Sequence, residues 1–133
     1  MQRTYFMIKP EIVRRNQFAD VLRFVLANRF SAERLELRRL TPDVARRFYA
    51  EHEGKGFFED LVAYMTSGPV VCVQLAGDDA QARLRKLVGA TDPAKAEVGT
   101  VRYQFGTSLQ ENAVHASDSP ASAEREIGII FPH

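Results

Sequence analysis

Strand and helix patterns alternate along the 133 residues in an order that predicts an α+β domain built on a split βαββαβ unit. Three observations carry this. Thr4 to Ile8 is a β-branched and aromatic run that stops at Lys9-Pro10. Val70 to Leu75 is almost continuously apolar, the pattern of a central strand covered on both faces. Between and after these runs, apolar residues recur at helical spacing.

In order along the chain, the first strand delivers Lys9 to its end. Phe18, Val21, Leu22 and Val25 then predict one helix over roughly 16–28. Leu35 and Leu37 alternate with Arg34, Glu36 and Arg38, the period of a strand with one wet face. Thr41-Pro42-Asp43 places a hydroxyl cap, a proline and an acid where a helix begins, and that helix carries Val44, Phe48 and Tyr49. Glu53-Gly54-Lys55-Gly56 breaks the chain before a helix through Phe57, Phe58, Leu61, Val62 and Met65, which closes at Ser67-Gly68-Pro69. Gly77-Asp78-Asp79 opens a helix with Ala80, Leu84, Leu87 and Val88 on one face. Thr91 to about Glu111 shows no period and reads as a long functional loop. Ser119-Pro120 starts a short helix, and Glu126 to Phe131 reads as a closing strand. With the helical insert and the loop set aside, this is the order of ferredoxin-like folds.

An apolar fraction of 45% suits one domain, 1–133, with a substantial core. The net charge of +1 supplies no general attraction to nucleic acid or anionic membrane. Cys72 is the sole cysteine, which excludes an internal disulfide, and its Val-Val-Cys-Val setting reads as core. No apolar run approaches the ~20 residues a membrane helix needs, and the N-terminus lacks a signal-like pattern, so a cytoplasmic protein is expected.

One stretch concentrates chemistry: Asn112-Ala-Val-His115-Ala-Ser117-Asp118-Ser119-Pro120. A neutral imidazole can attack phosphorus and hold it covalently when a carboxylate or carbonyl fixes its tautomer. Ser117, Asp118 and Glu126 are near enough in sequence to serve His115, whose plainer reading is an ordinary buried histidine. No G-x-x-x-x-G-K-[ST] loop is present, which argues against a Walker-type NTPase.

Asn112 to Ser119 resembles the N-x-x-H-G/A-S-D-S signature of nucleoside diphosphate kinases, in their bacterial form. Thr4 to Pro10 resembles the family's opening strand with its lysine. Phe48 to His52 and Gly56 to Val62 resemble the helices that grip the nucleotide, and Tyr64 to Val71, Gly89 to Pro93 and Gly99 to Arg102 follow in family order. The resemblance implies a ferredoxin-like sandwich with an antiparallel four-stranded sheet, a ping-pong exchange of a terminal phosphoryl group through phosphohistidine at His115, and broad base specificity.

Residue by residue, the resemblance implies Glu126 as the acid that orients the ring, with Ser117 supporting it. Lys9 and Asn112 would contact the sugar 3′-hydroxyl, and Lys9 the migrating phosphoryl. Arg85, Thr91 and Arg102 would hold the phosphates, with Tyr49 near the transferred group and His52 near the first phosphate. Phe57 would stack on the base, flanked by Leu61 and Leu109. Mg²⁺ would arrive with the phosphates, with Asp118 as an outer-shell contact. The expected assembly is a homo-oligomer built on a dimer, with no obligatory nucleic-acid partner. Taken singly, Lys9 and Arg85 also read as solvated surface, Phe57, Leu61 and Tyr49 as core, and Thr91 as a cap. Co-occurrence at the family's spacings favours the site.

The chain departs from the family at Glu11-Ile12-Val13, Asn16 to Asp20, Tyr103-Gln104 and Glu111, none of them a proposed catalytic position. Two other readings remain: an inactive nucleotide-binding relative, and a nucleic-acid module of RRM type with Arg102-Tyr103-Gln104-Phe105-Gly106 as its stacking strand.

Overall fold

The computed structural model describes residues 1–132. Strand β1 (Gln2–Ile8) runs into α1 (Pro10–Arg14) and α2 (Phe18–Leu26), followed by β2 (Ser31–Arg38), α3 (Pro42–Phe48) and α4 (Phe58–Met65). Then come β3 (Val70–Gly77), α5 (Ala80–Val88), α6 (Val101–Phe105), β4 (Val114–Ala116) and α7 (Pro120–Ile130). The strands form one sheet in the order β2-β3-β1-β4, with every neighbouring pair antiparallel. The split βαββαβ order is therefore present, followed by a final helix.

Every residue of β3 is buried, as its unbroken apolar run requires. Alternate residues of β1 feed two cores. Phe6 and Ile8 pack with Val71, Val73 and Leu75 against α2 and α5. Tyr5 and Met7 pack with Cys72 against Phe48 of α3, Val62 and Met65 of α4, and Ile130 of α7. Each such side chain contributes about 1.5–3 kcal/mol through burial, so the β1–β3 pair is the rigid base from which Lys9 and β4 are hung.

The helix expected over 16–28 is present as α2. An additional short helix, α1, starts at Pro10, where proline fits the first turn, and Asn16 with its left-handed φ of 57° separates the two. Other expectations change. The strand through Leu35 and Leu37 exists, but these leucines are 51% and 53% exposed and belong to neither core cluster, and β2 is an edge strand. The run from Glu126 to Phe131 is not a strand. Ser119 accepts the Ser122 N–H as a cap, Pro120 occupies the first turn, and Ala123, Glu126 and Ile130 recur on one buried helical face. The fourth strand is instead Val114–Ala116, too short to show a period.

The expected loop from Thr91 to Glu111 contains α6 and a 3₁₀ turn at Pro93–Lys95, started by side-chain caps from Thr100 and Asp92. Because Arg102 to Phe105 is helical and Arg102 is buried, the RRM-type stacking strand is overturned. No helix among the described residues is long and apolar enough to cross a membrane.

Candidate functional site

Because β4 pairs with β1 at Met7↔His115, the end of the sheet presents His115 close to Lys9. Lys9 follows β1 directly, and its backbone N–H donates to Ala113 O at 2.9 Å, tying the start of β4 to the end of β1. The second turn of α7 returns Glu126 to the histidine. His115 Nε2 donates to Glu126 Oε1 at 2.9 Å, and the Ser117 hydroxyl donates to the same oxygen at 2.6 Å. An ionised carboxylate only accepts, so Nε2 carries the proton and Nδ1 keeps its lone pair. Burial pushes the Glu126 pKa up, but the hydrogen bonds from His115 and Ser117 outweigh it and hold the carboxyl below its usual range.

Phe48 packs edge-on to the imidazole with centroids 4.9 Å apart, which fixes the ring's remaining freedom. Tyr49 is buried beside it, centroids 6.3 Å apart, and its hydroxyl has no hydrogen-bond partner among the described residues. Burial, and then the Glu126 charge, push the phenol far up, so it remains a donor.

His115 lies on the wall of a cleft of about 320 Å³. Cations line the same cleft. Lys9 Nζ donates to Asn112 Oδ1 at 2.7 Å and to Gln110 O at 3.2 Å. Burial outweighs the neighbouring Glu11 carboxylate, which favours the charge, and together with the Arg102 cation lowers its pKa from 10.5 to about 8. Arg102 is spread over three carbonyls, Asn112 O at 3.3 Å, Gly89 O at 3.1 Å and Val114 O at 2.9 Å. Burial and the neighbouring Arg85 bring it down to about 10. Arg85 donates to Ala116 O at 3.0 Å and lies 3.3 Å from Asp118. Cations packed this closely favour a polyanion that neutralises them. Asn112 also reaches Thr91 O at 3.0 Å, which draws the loop after α5 into the site.

The cleft mouth differs in character. Phe57 is 50% exposed and Leu109 64%, with Leu61 half-buried between them and the floor. His52 lies 5.3 Å from Phe57 by ring centroids, and its Nδ1 is 3.2 Å from Lys55 Nζ. The structure thus brings together Lys9, Tyr49, His52, Phe57, Leu61, Arg85, Thr91, Arg102, Leu109, Asn112, His115, Asp118 and Glu126 around one cleft, with Ser117 buried behind it. A depression of about 430 Å³ between Asn28–Phe30 and Glu97–Thr100 is larger, but it has no histidine or cysteine to act as nucleophile.

Sequence reasoning missed three contributors. Phe48, read only as helix core, also holds the imidazole. Gln81, on the buried face of α5, donates to Ser117 O at 2.8 Å. Glu11, noted only as a departure from the family, is buried next to Lys9 and accepts the Ala113 N–H at 2.9 Å. An acid directly after Lys-Pro at a strand end was the available signal for the last.

The family model described as Nucleoside diphosphate kinase matches residues 2–133. The chain belongs to that family. It is 44% identical to the nucleoside diphosphate kinase of Sulfolobus acidocaldarius, covering 98% of this chain and 90% of the relative. The Bdellovibrio bacteriovorus protein of the same name is also 44% identical, with 98% and 93% covered. Equal likeness to both selects no bacterial branch. Among solved structures, the Aquifex aeolicus nucleoside diphosphate kinase superimposes with a TM-score of 0.92 at 41% identity, covering 98% of this chain and 94% of that one. The Halobacterium salinarum nucleoside diphosphate kinase in complex with CDP gives 0.96 at 36%, with 99% and 88% covered.

Proposed function

We propose that residues 1–133 act as one nucleoside diphosphate kinase domain that moves the terminal phosphoryl group of a nucleoside triphosphate to a nucleoside diphosphate through phosphohistidine at His115. The observation that carries this is the 2.9 Å bond from His115 Nε2 to buried Glu126, which leaves Nδ1 as the free nucleophile on the wall of a cation-lined cleft. In the first half-reaction Nδ1 attacks the terminal phosphorus, the bond from phosphorus to the bridging oxygen breaks, and the diphosphate leaves with that electron pair. The imidazolium formed is stabilised by anionic Glu126. A terminal oxygen of a second diphosphate then attacks the phosphorus, the P–Nδ1 bond breaks and its electron pair returns to Nδ1, which regenerates the neutral ring, so the kinetics are ping-pong.

Arg85, Thr91 and Arg102 bind the β- and terminal phosphates, with His52 near the first. Lys9 and Asn112 hold the sugar 3′-hydroxyl, and Lys9 and Tyr49 approach the migrating group, where preorganised donors meet developing charge. Phe57 stacks on the base, with Leu61 and Leu109 flanking it. Stacking without base-edge hydrogen bonds accepts every base, at about 1–3 kcal/mol each, so ribo- and deoxyribonucleotides of any base serve. That the Halobacterium salinarum relative was solved with CDP supports a diphosphate substrate.

Mg²⁺ carried by the nucleotide would offset phosphate charge there. Asp118, exposed on the cleft wall, is the type of carboxylate that accepts from its water shell. The chain works in the cytoplasm as a homo-oligomer built on a dimer, without membrane or obligatory nucleic-acid partners. Support for self-association comes from the open edge of β2 with exposed Leu35 and Leu37. Against an inactive relative stands the complete set of Lys9, Arg102, Asn112 and His115 around one cleft.

Incubation with γ-labelled ATP tests the reading. An acid-labile, base-stable label is expected, absent from His115→Ala and discharged by any nucleoside diphosphate. Nucleotide binding without label would instead support the inactive relative.

A further inference from the structure

We propose that Glu11, backed by Tyr64, is a positioning residue for phosphoryl transfer, acting on the turn that carries Asn112 on one side and His115 on the other. The proposal rests on the reading of His115 as nucleophile. Glu11 lies two residues after Lys9, is 4% exposed, and does not line the cleft. One carboxylate oxygen, Oε2, accepts the Ala113 N–H at 2.9 Å, and the other, Oε1, accepts the Tyr64 hydroxyl.

The turn needs such a partner. Val114 N–H bonds to Asn112 O at 3.0 Å while Ala113 takes a φ of 77°, so Asn112-Ala113-Val114 forms a γ-turn of the rare, strained hand. A residue with a Cβ persists there only when its surroundings hold it. The flanking carbonyls are held by other groups: Asn112 O and Val114 O by Arg102, and Ala113 O by the Lys9 N–H. The central N–H is held by Glu11. β4 has only three residues, so little else in the ladder corrects an error in the turn. Relaxation at Ala113 would swing Asn112 away from its 2.7 Å bond to Lys9 and carry the His115 backbone with it.

Burial and the Glu11 carboxylate both push the Tyr64 hydroxyl up, so it stays a donor at any working pH. Arg14 sits over the outer face of that ring, 5.9 Å from its centroid, and helps keep it in place.

The test is single-turnover labelling of His115 with saturating γ-labelled ATP, corrected for the folded fraction measured by thermal melting. Glu11→Ala should slow labelling by about 10- to 100-fold, the scale of a misplaced nucleophile, with a smaller change in KM. Glu11→Gln should stay within about threefold, since its amide oxygen accepts from Ala113 and its NH₂ donates to Tyr64. Adding Ala113→Gly to Glu11→Ala should recover most of the loss, because glycine adopts positive φ without strain. Tyr64→Phe should slow labelling by about threefold and decides the matter if Glu11→Ala does not fold.

Labelling of folded Glu11→Ala at the wild-type rate, no recovery with Ala113→Gly, or an unchanged rate in Tyr64→Phe overturns the proposal. Absence of label in the wild-type chain would instead overturn the reading of His115, which the same gel distinguishes.

Discussion

The floor and the mouth of the cleft are built on opposite principles. At the floor, Glu126 is 3% exposed, Lys9 7% and Arg102 4%, and every charged group is fixed by hydrogen bonds to the backbone or to a second side chain. At the mouth, Phe57 and Leu109 are half or more exposed and make no comparable network. Buried charge-assisted bonds are strong and geometrically strict, whereas an exposed aromatic face is tolerant. On the proposed function, chemistry that must place one nitrogen in line with one phosphorus falls to the strict region, and recognition that must accept every base falls to the tolerant one.

The sharpest break of this contrast is Glu126→Gln. The amide oxygen can still accept from Nε2–H and Ser117, but the amide cannot carry the charge that balances an imidazolium. Phosphorylation of His115 should drop by about 10²–10⁴-fold with little change in KM; rapid-quench labelling measures it, and a loss confined to KM would contradict a rigid, chemistry-only floor.

Lys9 provides a break by pH. With a pKa of about 8, its ammonium is present below that value and lost above it, so kcat/KM should fall by up to tenfold per unit above about pH 8. Bound phosphates favour the charged form, and the break in kcat should lie higher. Stability should move the other way. Between pH 8 and 10.5 the unfolded chain holds the proton and the fold does not, so this group adds stability as pH rises through that window, and its cost is fully present below it. Denaturant midpoints across the range check the sign against a Lys9→Met control.

The smallest effect belongs to the mouth. Phe57→Ala should raise KM by about 5- to 30-fold, the weaker end of aromatic stacking, with kcat little changed and the same factor for purine and pyrimidine diphosphates. A factor that differs by more than about threefold between bases would mean the mouth reads base identity.

Legibility in the sequence followed the same division. Lys9 was readable because a strong β run ends in Lys-Pro, and β3 because its apolar run is long. The helix α7 was misread because Ile-Gly-Ile-Ile-Phe is apolar at both strand and helix periods, and five residues do not separate them. β4 was invisible for the opposite reason: three residues carry no period, and only pairing with β1 makes them a strand.

The residues themselves determined which functional groups the protein owns, their order, and the α+β class, because propensity, caps and period act over short stretches of chain. Tertiary structure alone decided that Glu126 meets Nε2 rather than Nδ1 of His115, that Glu11 grips the turn before β4, and that Lys9 loses its proton near pH 8. Those facts depend on burial and on contacts between residues up to about a hundred positions apart. No local pattern encodes distances of that kind; they exist once the sheet brings the end of β1 beside β4.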